Sequence, residues 1–369
     1  MNKSPRKGPA FFRLDRPWSL LLRLALSWAL AGSRASAIIL LSSGDPSYNT
    51  TPPGGSLTNS GWQYQGVWGS YLGTPIGLRH FVTAKHVGGA VGDVFLYGGV
   101  TYTTTAFYDD PASDLRIWRV CGTFESFAPL YTKSDEVGLS LVVFGRGTQR
   151  GPEVRANGVL RGWQWGPADE VERWGTNRVS GIVSVGAGIG DLLQAAFDAD
   201  AGAEEAHLSV GDSGGAVFIM DHSMWKLAGI NYSVDGPYST NGTGPGFSAA
   251  VFDQGGLFIG GEGNWTLVRN MPADKPGSFY ATRISSRRDW INGILAQPPP
   301  LDPAPVLESA PVVAGPFVVD SAAVVDVSAR AIAVPANGPQ RFFRLRGCTA
   351  WRITSTRLVA EEVVLTYGD

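Results

Sequence analysis

Charged residues and cysteines are both scarce in this chain of 369 residues. Charged residues make up only 17% of the chain, and the formal net charge is −2, so the sequence offers no basic surface for nucleic acid or anionic lipid. The chain has only two cysteines, which cannot build a four-ligand zinc site, and its four histidines form no His-Glu-x-x-His motif. We therefore expect no nucleic-acid partner, no metal ion and no other cofactor.

The two cysteines are Cys121 and Cys348, and an exported protein could join them in a disulfide. Cys121, however, follows the apolar segment 115–120, where a buried free thiol serves as a small hydrophobic group. Cys348 lies in a separate tail segment. We therefore expect both thiols to stay unpaired.

Long apolar runs are also missing, because the run over residues 18–30 is shorter than the roughly 20 residues that a membrane-spanning helix needs. Basic residues precede this run, and Ala-Ser-Ala at 35–37 follows it, a pattern typical of a signal peptide cleaved near Ala37. Residues 1–37 are therefore predicted as a signal peptide, which predicts a secreted, extracellular or periplasmic protein without a stable membrane span. An uncleaved anchor is the alternative, since Arg23 interrupts the run.

Glycine and proline are abundant, with 48 and 24 copies, and the apolar runs between turns are short, which is typical of an all-β protein. Residues 38–296 form one enzyme-sized unit of this kind. Prolines at 298–300, 303, 305 and 311 predict an extended linker over 297–317. Alternating apolar segments then predict a small C-terminal β module over 318–369.

Three segments carry the residue types that nucleophilic catalysis by a serine requires. Residues 211–215, Gly-Asp-Ser-Gly-Gly, place Ser213 between glycines whose backbone N–H groups can converge on an oxyanion. His86 ends the segment Thr-Ala-Lys-His, directly after an apolar strand, and Asp114 stands at the head of another. These positions make Ser213 a candidate nucleophile, His86 a candidate general base and Asp114 a candidate for the acid that orients it, although a lone histidine is more often a buried structural group.

Asp109 and Asp110 compete with Asp114 for the role of the acid. They adjoin Pro111 in a turn-like segment, where capping in solvent is the expected role. Residues 211–215 also fit the nucleophile elbow of α/β-hydrolases, but those enzymes run in the order serine, acid, histidine. Only His222 follows the serine in this chain, which leaves no room for an intervening acid and disfavours that fold.

The three motifs resemble those of the chymotrypsin-like (trypsin-like) serine peptidases, and segments at 144–148, 225–230 and 276–284 are similar to strands of that family. The cysteines that flank the histidine and serine in the animal enzymes are missing, as in a secreted bacterial branch. The resemblance implies two six-stranded antiparallel β-barrels with a C-terminal helix. It also implies an endopeptidase that cuts protein or peptide substrates through an acyl-enzyme on the serine.

The resemblance assigns further roles around the serine. The backbone N–H groups of Gly211 and Ser213 would form the oxyanion hole. The substrate-binding residues would be His207 at the floor of the primary pocket and, along the substrate backbone, Tyr232, Ser233 and Val234. The stretch between Ile230 and Pro276 is longer than usual, and we expect it to remodel the substrate rim.

Two further expectations concern activation and the tail. Asp212 would pair with the ammonium of a newly cut N-terminus, which cleavage after Ala37 would create at Ile38. The alternative to an active peptidase is a catalytically silent relative that serves as a binding or adhesion module. In either case the C-terminal module is a candidate for binding an unknown surface partner.

Overall fold

Antiparallel β-strands are the main secondary structure in a computed structural model, which describes residues 38–186, 188–297, 304–338, 340–348 and 351–368. The predicted signal peptide and the prolines at 298–300 and 303 lie outside these residues. The predicted all-β class is confirmed. Among the described residues, no helix has the length and apolar character needed to cross a membrane.

Six strands form a first closed barrel. After a short strand β1 (Ile39–Leu40), they are β2 (Gly66–Trp68), β3 (Tyr71–Gly77), β4 (His80–Ala84), β5 (Val94–Tyr97), β6 (Val100–Asp109) and β7 (Leu115–Val120). The barrel closes in the order β2-β3-β4-β7-β6-β5. Side chains of β5 alternate between exposed and buried, as the two-residue period of a strand requires. Phe95 thereby points inward and stacks on Phe81, with ring centroids 3.9 Å apart.

Residues 140–283 contain a second closed barrel. Its segment comprises β8 (Ser140–Gly145), β9 (Thr148–Ala156), β10 (Val159–Ala168), β11 (Arg173–Val185), β12 (Gly190–Ala196), β13 (Ala206–His207), β14 (Ala216–Asp221), β15 (Met224–Val234), β16 (Tyr238–Ser239), β17 (Ala249–Val251), β18 (Phe258–Ile259), β19 (Thr266–Leu267) and β20 (Ser278–Arg283). The barrel closes in the order β11-β12-β20-β15-β14-β8, and helix α1 (Arg288–Leu295) follows it. Two six-stranded antiparallel barrels and a closing helix confirm the predicted architecture.

The long stretch between Ile230 and Pro276 contributes extra strands. Strand β17 joins β10 and β9 in one three-stranded sheet, and β16, β18 and β19 form another. At Gly162 the paired strands β10 and β17 come so close that a Cβ would lie 2.1 Å from the carbonyl oxygen of Ala250. Only glycine permits this approach, so β10 is held against the inserted stretch.

One hydrophobic core joins the two barrels and the helix. It contains Leu72 and Val82 from the first barrel, Phe144 and Phe218 from the second, and Ile291 from α1, all fully buried. Burying a side chain of this size contributes about 1.5–3 kcal/mol to stability. The position of one barrel against the other is therefore set by packing.

Asp110 corrects one expectation, because its side chain is fully buried rather than solvated. It accepts hydrogen bonds from Arg287 Nε and Nη2 at 2.5 and 2.7 Å, and from the Ser113 hydroxyl at 2.6 Å. Burial alone raises the pKa of Asp110, but the hydrogen bonds from Arg287 and Ser113 hold it below the usual value. The carboxylate therefore ties the segment before β7 to the start of α1.

The C-terminal region forms two small sheets of its own. Its strands are β21 (Val306–Ala310), β22 (Val318–Val319), β23 (Val324–Asp326), β24 (Ala331–Pro335), β25 (Phe342–Arg346), β26 (Arg352–Val359) and β27 (Glu362–Gly368). They pair in the orders β22-β21-β25 and β23-β24-β27-β26. The predicted linker 297–317 thus contains a strand: Leu307 of β21 is buried in the module core with Ile332 and Leu365. The structured tail begins earlier than the sequence predicted.

The prediction that both thiols are free is wrong, because Cys121 and Cys348 form a disulfide with their Cα atoms 4.5 Å apart. Cys121 directly follows β7 of the first barrel, and Cys348 lies two residues after β25 of the tail. Within the described ranges, no tail strand pairs with a strand of either barrel. The disulfide therefore ties the C-terminal module to the first barrel.

Replacing Cys121 and Cys348 together by serine is expected to lower the free energy of unfolding by about 2–5 kcal/mol, because the crosslink restricts the unfolded chain. Urea unfolding of the oxidised wild type and of the double variant measures the difference. Reduced wild type should unfold like the double variant, which itself should not respond to reductant. Identical curves for oxidised wild type and variant would contradict the expected stabilisation.

Candidate active site

Strand pairing brings the histidine and aspartate motifs together. His86 lies in a 3₁₀ turn, Lys85–Val87, directly after β4, and Asp114 directly precedes β7. Because β4 pairs with β7 in a register that puts Ala84 opposite Leu115, the two residues come to the same end of the first barrel. The backbone N–H of Lys85 donates to the Asp114 carbonyl oxygen at 2.6 Å and fixes the turn.

The three side chains form one hydrogen-bonded row. Asp114 Oδ2 lies 2.5 Å from His86 Nδ1, and Asp114 Oδ1 accepts the His86 backbone N–H at 3.1 Å. His86 Nε2 lies 2.8 Å from Ser213 Oγ. A carboxylate that accepts from Nδ1–H leaves the lone pair of Nε2 facing the hydroxyl. This geometry is suited to removing the hydroxyl proton of Ser213.

The competing carboxylates lie elsewhere. Asp109 is partly exposed and binds Arg116, whose Nε and Nη2 donate to it at 2.6 and 2.9 Å. Asp110 binds Arg287, as described above. Of these three aspartates, only Asp114 contacts the imidazole, and it is buried, with 8% of its side chain exposed.

Residues 211–215 form a tight loop before β14. Gly211 and Gly214 have φ angles of 96° and 78°, which glycine adopts without strain. The N–H of Gly214 donates to the Asn231 carbonyl oxygen at 3.1 Å, and the N–H of Asn231 donates to Gly215 at 2.8 Å. The backbone N–H groups of Gly211 and Ser213 donate to no other described residue. Both are therefore available to an incoming oxyanion.

Asp212 is fully buried beside Ser213. Its carboxylate accepts hydrogen bonds from the N–H groups of Gly147 and Ser209, each at 2.7 Å, and from the backbone N–H of Ile38. Burial raises the pKa of Asp212 to about 6 despite these donors. The structure thus brings Ile38, the residue after the predicted cleavage point, to the carboxylate with which it was predicted to pair.

A cavity of about 160 Å³ opens beside Ser213. Its lining consists of Trp165, Leu208, Ser209, Val210, Ser213, Asn231, Tyr232, Ser233 and Val234. Three of these, at the end of β15, are residues that the sequence predicted to contact substrate. Tyr232 also packs edge-on against His86, with ring centroids 5.8 Å apart.

His207 is not brought to this cavity. Strand β13 pairs with β1, with His207 opposite Ile39, and the imidazole is fully buried between the rings of Phe197 and Phe279. Burial lowers the pKa of His207, so the ring is neutral near pH 7. Its offset from the serine suggested a pocket floor, but its strand pairing makes it a core residue.

Trp165 is one of the cavity residues that the sequence did not predict. It belongs to the segment Gly-Trp-Gln-Trp-Gly at 162–166, where nothing in the adjacent residues indicates which tryptophan lines the cavity. Trp163, two residues earlier, lies on the guanidinium of Arg150, with Cζ 3.6 Å from the ring centroid. Within the described ranges, His, Cys, Asp and Glu side chains form no group of three or more that could hold a metal ion.

Solved structures similar to this one include neuropsin, a serine protease expressed in the limbic system of mouse brain, which is 14% identical over 64% of this chain and 96% of its own, with a TM-score of 0.41. The passenger domain of plasmid encoded toxin, an autotransporter enterotoxin of enteroaggregative Escherichia coli, is 14% identical over 61% of this chain and 22% of its own, with a TM-score of 0.37. HBP is 15% identical over 66% of this chain and 95% of its own, with a TM-score of 0.39. No model of a protein family and no curated protein sequence matches the chain.

The chain has the chymotrypsin fold. Two closed six-stranded antiparallel barrels followed by one helix define it here. The His86, Asp114 and Ser213 side chains meet where the first barrel adjoins the loop of residues 211–215.

The raised pKa of Asp212 predicts a pH dependence that differs between two forms of the protein. Its value of about 6 lies above the ordinary value of 3.8. When a residue precedes Ile38, the contribution of protonated Asp212 to the free energy of unfolding is fully present below about pH 4. Up to about 3 kcal/mol of it is lost as the pH rises through 6. An ammonium at Ile38 would favour the carboxylate, lower its pKa and remove this loss.

Urea unfolding between about pH 4 and 8 tests this difference. The two forms to compare begin at Ile38 with a free amine and with an acetylated amine. The free form should keep its stability above pH 6, whereas the acetylated form should lose it. Parallel pH profiles would count against a charge pair between Asp212 and the terminus.

Proposed function

We propose that the chain is a secreted serine endopeptidase, with Ser213 as nucleophile, His86 as general base and Asp114 as the orienting acid. The observation that carries this proposal is the continuous row in which His86 lies 2.5 Å from Asp114 and 2.8 Å from Ser213. The reaction needs no cofactor, because the three side chains supply nucleophile, base and orientation.

The chemistry follows from the positions of these atoms. Ser213 Oγ attacks the carbonyl carbon of the substrate while His86 Nε2 takes the hydroxyl proton, and Asp114 stabilises the imidazolium that forms. The free N–H groups of Gly211 and Ser213 stabilise the oxyanion. His86 then gives the proton to the leaving amine, and water attacks the acyl-enzyme by the reverse route.

Protein and peptide substrates fit the open end of β15. The last pair between β15 and β14 is Ile230 with Ala216, whereas Ser233 and Val234 pair only with β20 on the other side. One backbone edge of residues 232–234 is therefore free beside the cavity. An extended substrate can add to that edge as a further strand, which supports roles for Tyr232, Ser233 and Val234 in holding the substrate backbone.

The disulfide between Cys121 and Cys348 supports a location outside the cytoplasm, because reducing compartments keep thiols free. This agrees with export by a signal peptide cleaved near Ala37. Cleavage there would place the new ammonium of Ile38 at Asp212, so removal of the signal peptide would also complete the site. The C-terminal module remains a candidate for binding a partner at a surface.

Two substitutions test the proposed roles. Ser213→Ala is expected to lower kcat for a peptide substrate by about a million-fold. Asp114→Asn is expected to lower it by about 10⁴-fold, because the imidazole would lose the tautomer that accepts the proton. Initial rates on a fluorogenic peptide measure both effects.

Asp109→Asn is the matched control, since Asp109 binds Arg116 and does not contact His86. It should leave kcat within about twofold of wild type, as removal of an exposed ion pair has little effect. A fluorophosphonate probe should label Ser213 in the wild type and not in Ser213→Ala. An unlabelled, well-folded wild type would instead support the silent binding or adhesion module.

A further inference from the structure

We propose that Asn231 and Trp165 select an uncharged side chain that both donates and accepts hydrogen bonds, and that the carboxamide of glutamine fits them best. The side chain concerned belongs to the substrate residue whose carbonyl Ser213 attacks, called the acyl residue below. This inference rests on the proposed peptidase function and names the substrate class of the cavity beside Ser213.

The orientation of the Asn231 amide is set by its neighbours. Nδ2 donates to the carbonyl oxygens of Phe144 at 2.8 Å and Asp212 at 3.0 Å. The reversed orientation would place Oδ1 against both carbonyl oxygens, where no hydrogen lies between them. Oδ1 is therefore the free end of the amide.

Two polar atoms of cavity-lining residues are buried without a partner. Asn231 Oδ1 is an acceptor that receives no hydrogen bond, and Trp165 Nε1–H is a donor that makes none. Buried polar groups in folded proteins nearly always have partners, and those that lack one require an explanation. An unpaired acceptor and an unpaired donor on two residues that line one cavity together match a ligand group that carries both functions.

The rest of the lining excludes a charged occupant. No Asp, Glu, Lys, Arg or His is among the cavity residues, and Leu208, Val210 and Val234 make the walls largely apolar. A carboxylate would place a second hydrogen-bond acceptor against the Asn231 oxygen. An ammonium would be buried without a counter-charge. An aliphatic side chain would fit the walls but leave both polar atoms unpaired.

Size alone does not decide the occupant. The cavity of about 160 Å³ is close to the roughly 150 Å³ that holds a benzene ring in an engineered protein. Glutamine differs from the similarly shaped methionine in having both hydrogen-bonding functions, and from glutamate in having a donor in place of a charge. Its N–H would reach Asn231 Oδ1 while its carbonyl oxygen accepts from Trp165 Nε1.

The test uses three peptide substrates that differ only in the acyl residue, which is Gln, Met or Glu. For the wild type, kcat/KM for the Gln peptide should exceed that for each of the others by at least about 10-fold, because sites built to hydrogen-bond a group reject analogues that lack it. Trp165→Phe keeps the ring and removes the donor, so the Gln-to-Met ratio should fall toward one. Asn231→Val should lower the same ratio.

Trp163→Phe is the matched control, because Trp163 packs on Arg150 and does not line the cavity; it should keep the wild-type ratio. The rate of fluorophosphonate labelling monitors the nucleophile independently of the acyl residue. A labelled wild type that prefers Met or Glu overturns the inference, as does a labelled Trp165→Phe with an unchanged ratio. If Asn231→Val fails to fold, Trp165→Phe decides. A wild type that is not labelled overturns the proposed function itself, and the inference falls with it.

Discussion

The loop of residues 211–215 lies directly against the first barrel at Gly214. A Cβ at this position would come within 2.2 Å of Thr83 Oγ1 and 2.7 Å of the Leu72 carbonyl oxygen, so no other residue permits the approach. Because His86 follows Thr83 by three residues, this contact determines where its Nε2 meets Ser213 Oγ, 2.8 Å away. The core shared by both barrels holds them at this separation, and close-packed interiors deform little. The alignment of the site therefore depends on how closely two barrels can pack.

The buried carboxylate of Asp212 imposes a second constraint on the same loop. A buried charge is tolerated only where donors surround it, and here they come from Ile38, Gly147 and Ser209, three segments far apart in the chain. A Cβ at Gly145 would lie 2.0 Å from Asp212 Oδ1, so glycine also makes room for the charge. The N-terminal segment, the loop after β8 and the loop of residues 211–215 must therefore assemble together.

Local patterns predicted an all-β chain and three candidate side chains, because short strands, turn residues and motifs each consist of adjacent residues. The two barrels and the row of three side chains were implied by the resemblance of those motifs to a known family. Contacts between distant segments could not be read in the same way. Cys121 and Cys348 are 227 residues apart, and nothing near either one indicates the other. His207 has the expected offset from Ser213, but pairing with β1 turns it into the core. Trp165 lines the cavity from β10, a strand that pairs with the inserted strand β17 more than 80 residues later in the chain.

Asn231 both supports the loop of residues 211–215 and lines the cavity beside Ser213. Its Nδ2 holds the carbonyl oxygen of Asp212, directly before Ser213, and its backbone hydrogen-bonds to Gly214 and Gly215. In the proposed selectivity, the other end of the same amide binds the substrate. A substitution at this position that changed selectivity would therefore also remove a support of the loop. Trp165 belongs to β10 rather than to this loop, so in the same proposal selectivity can change there while Ser213 stays in place.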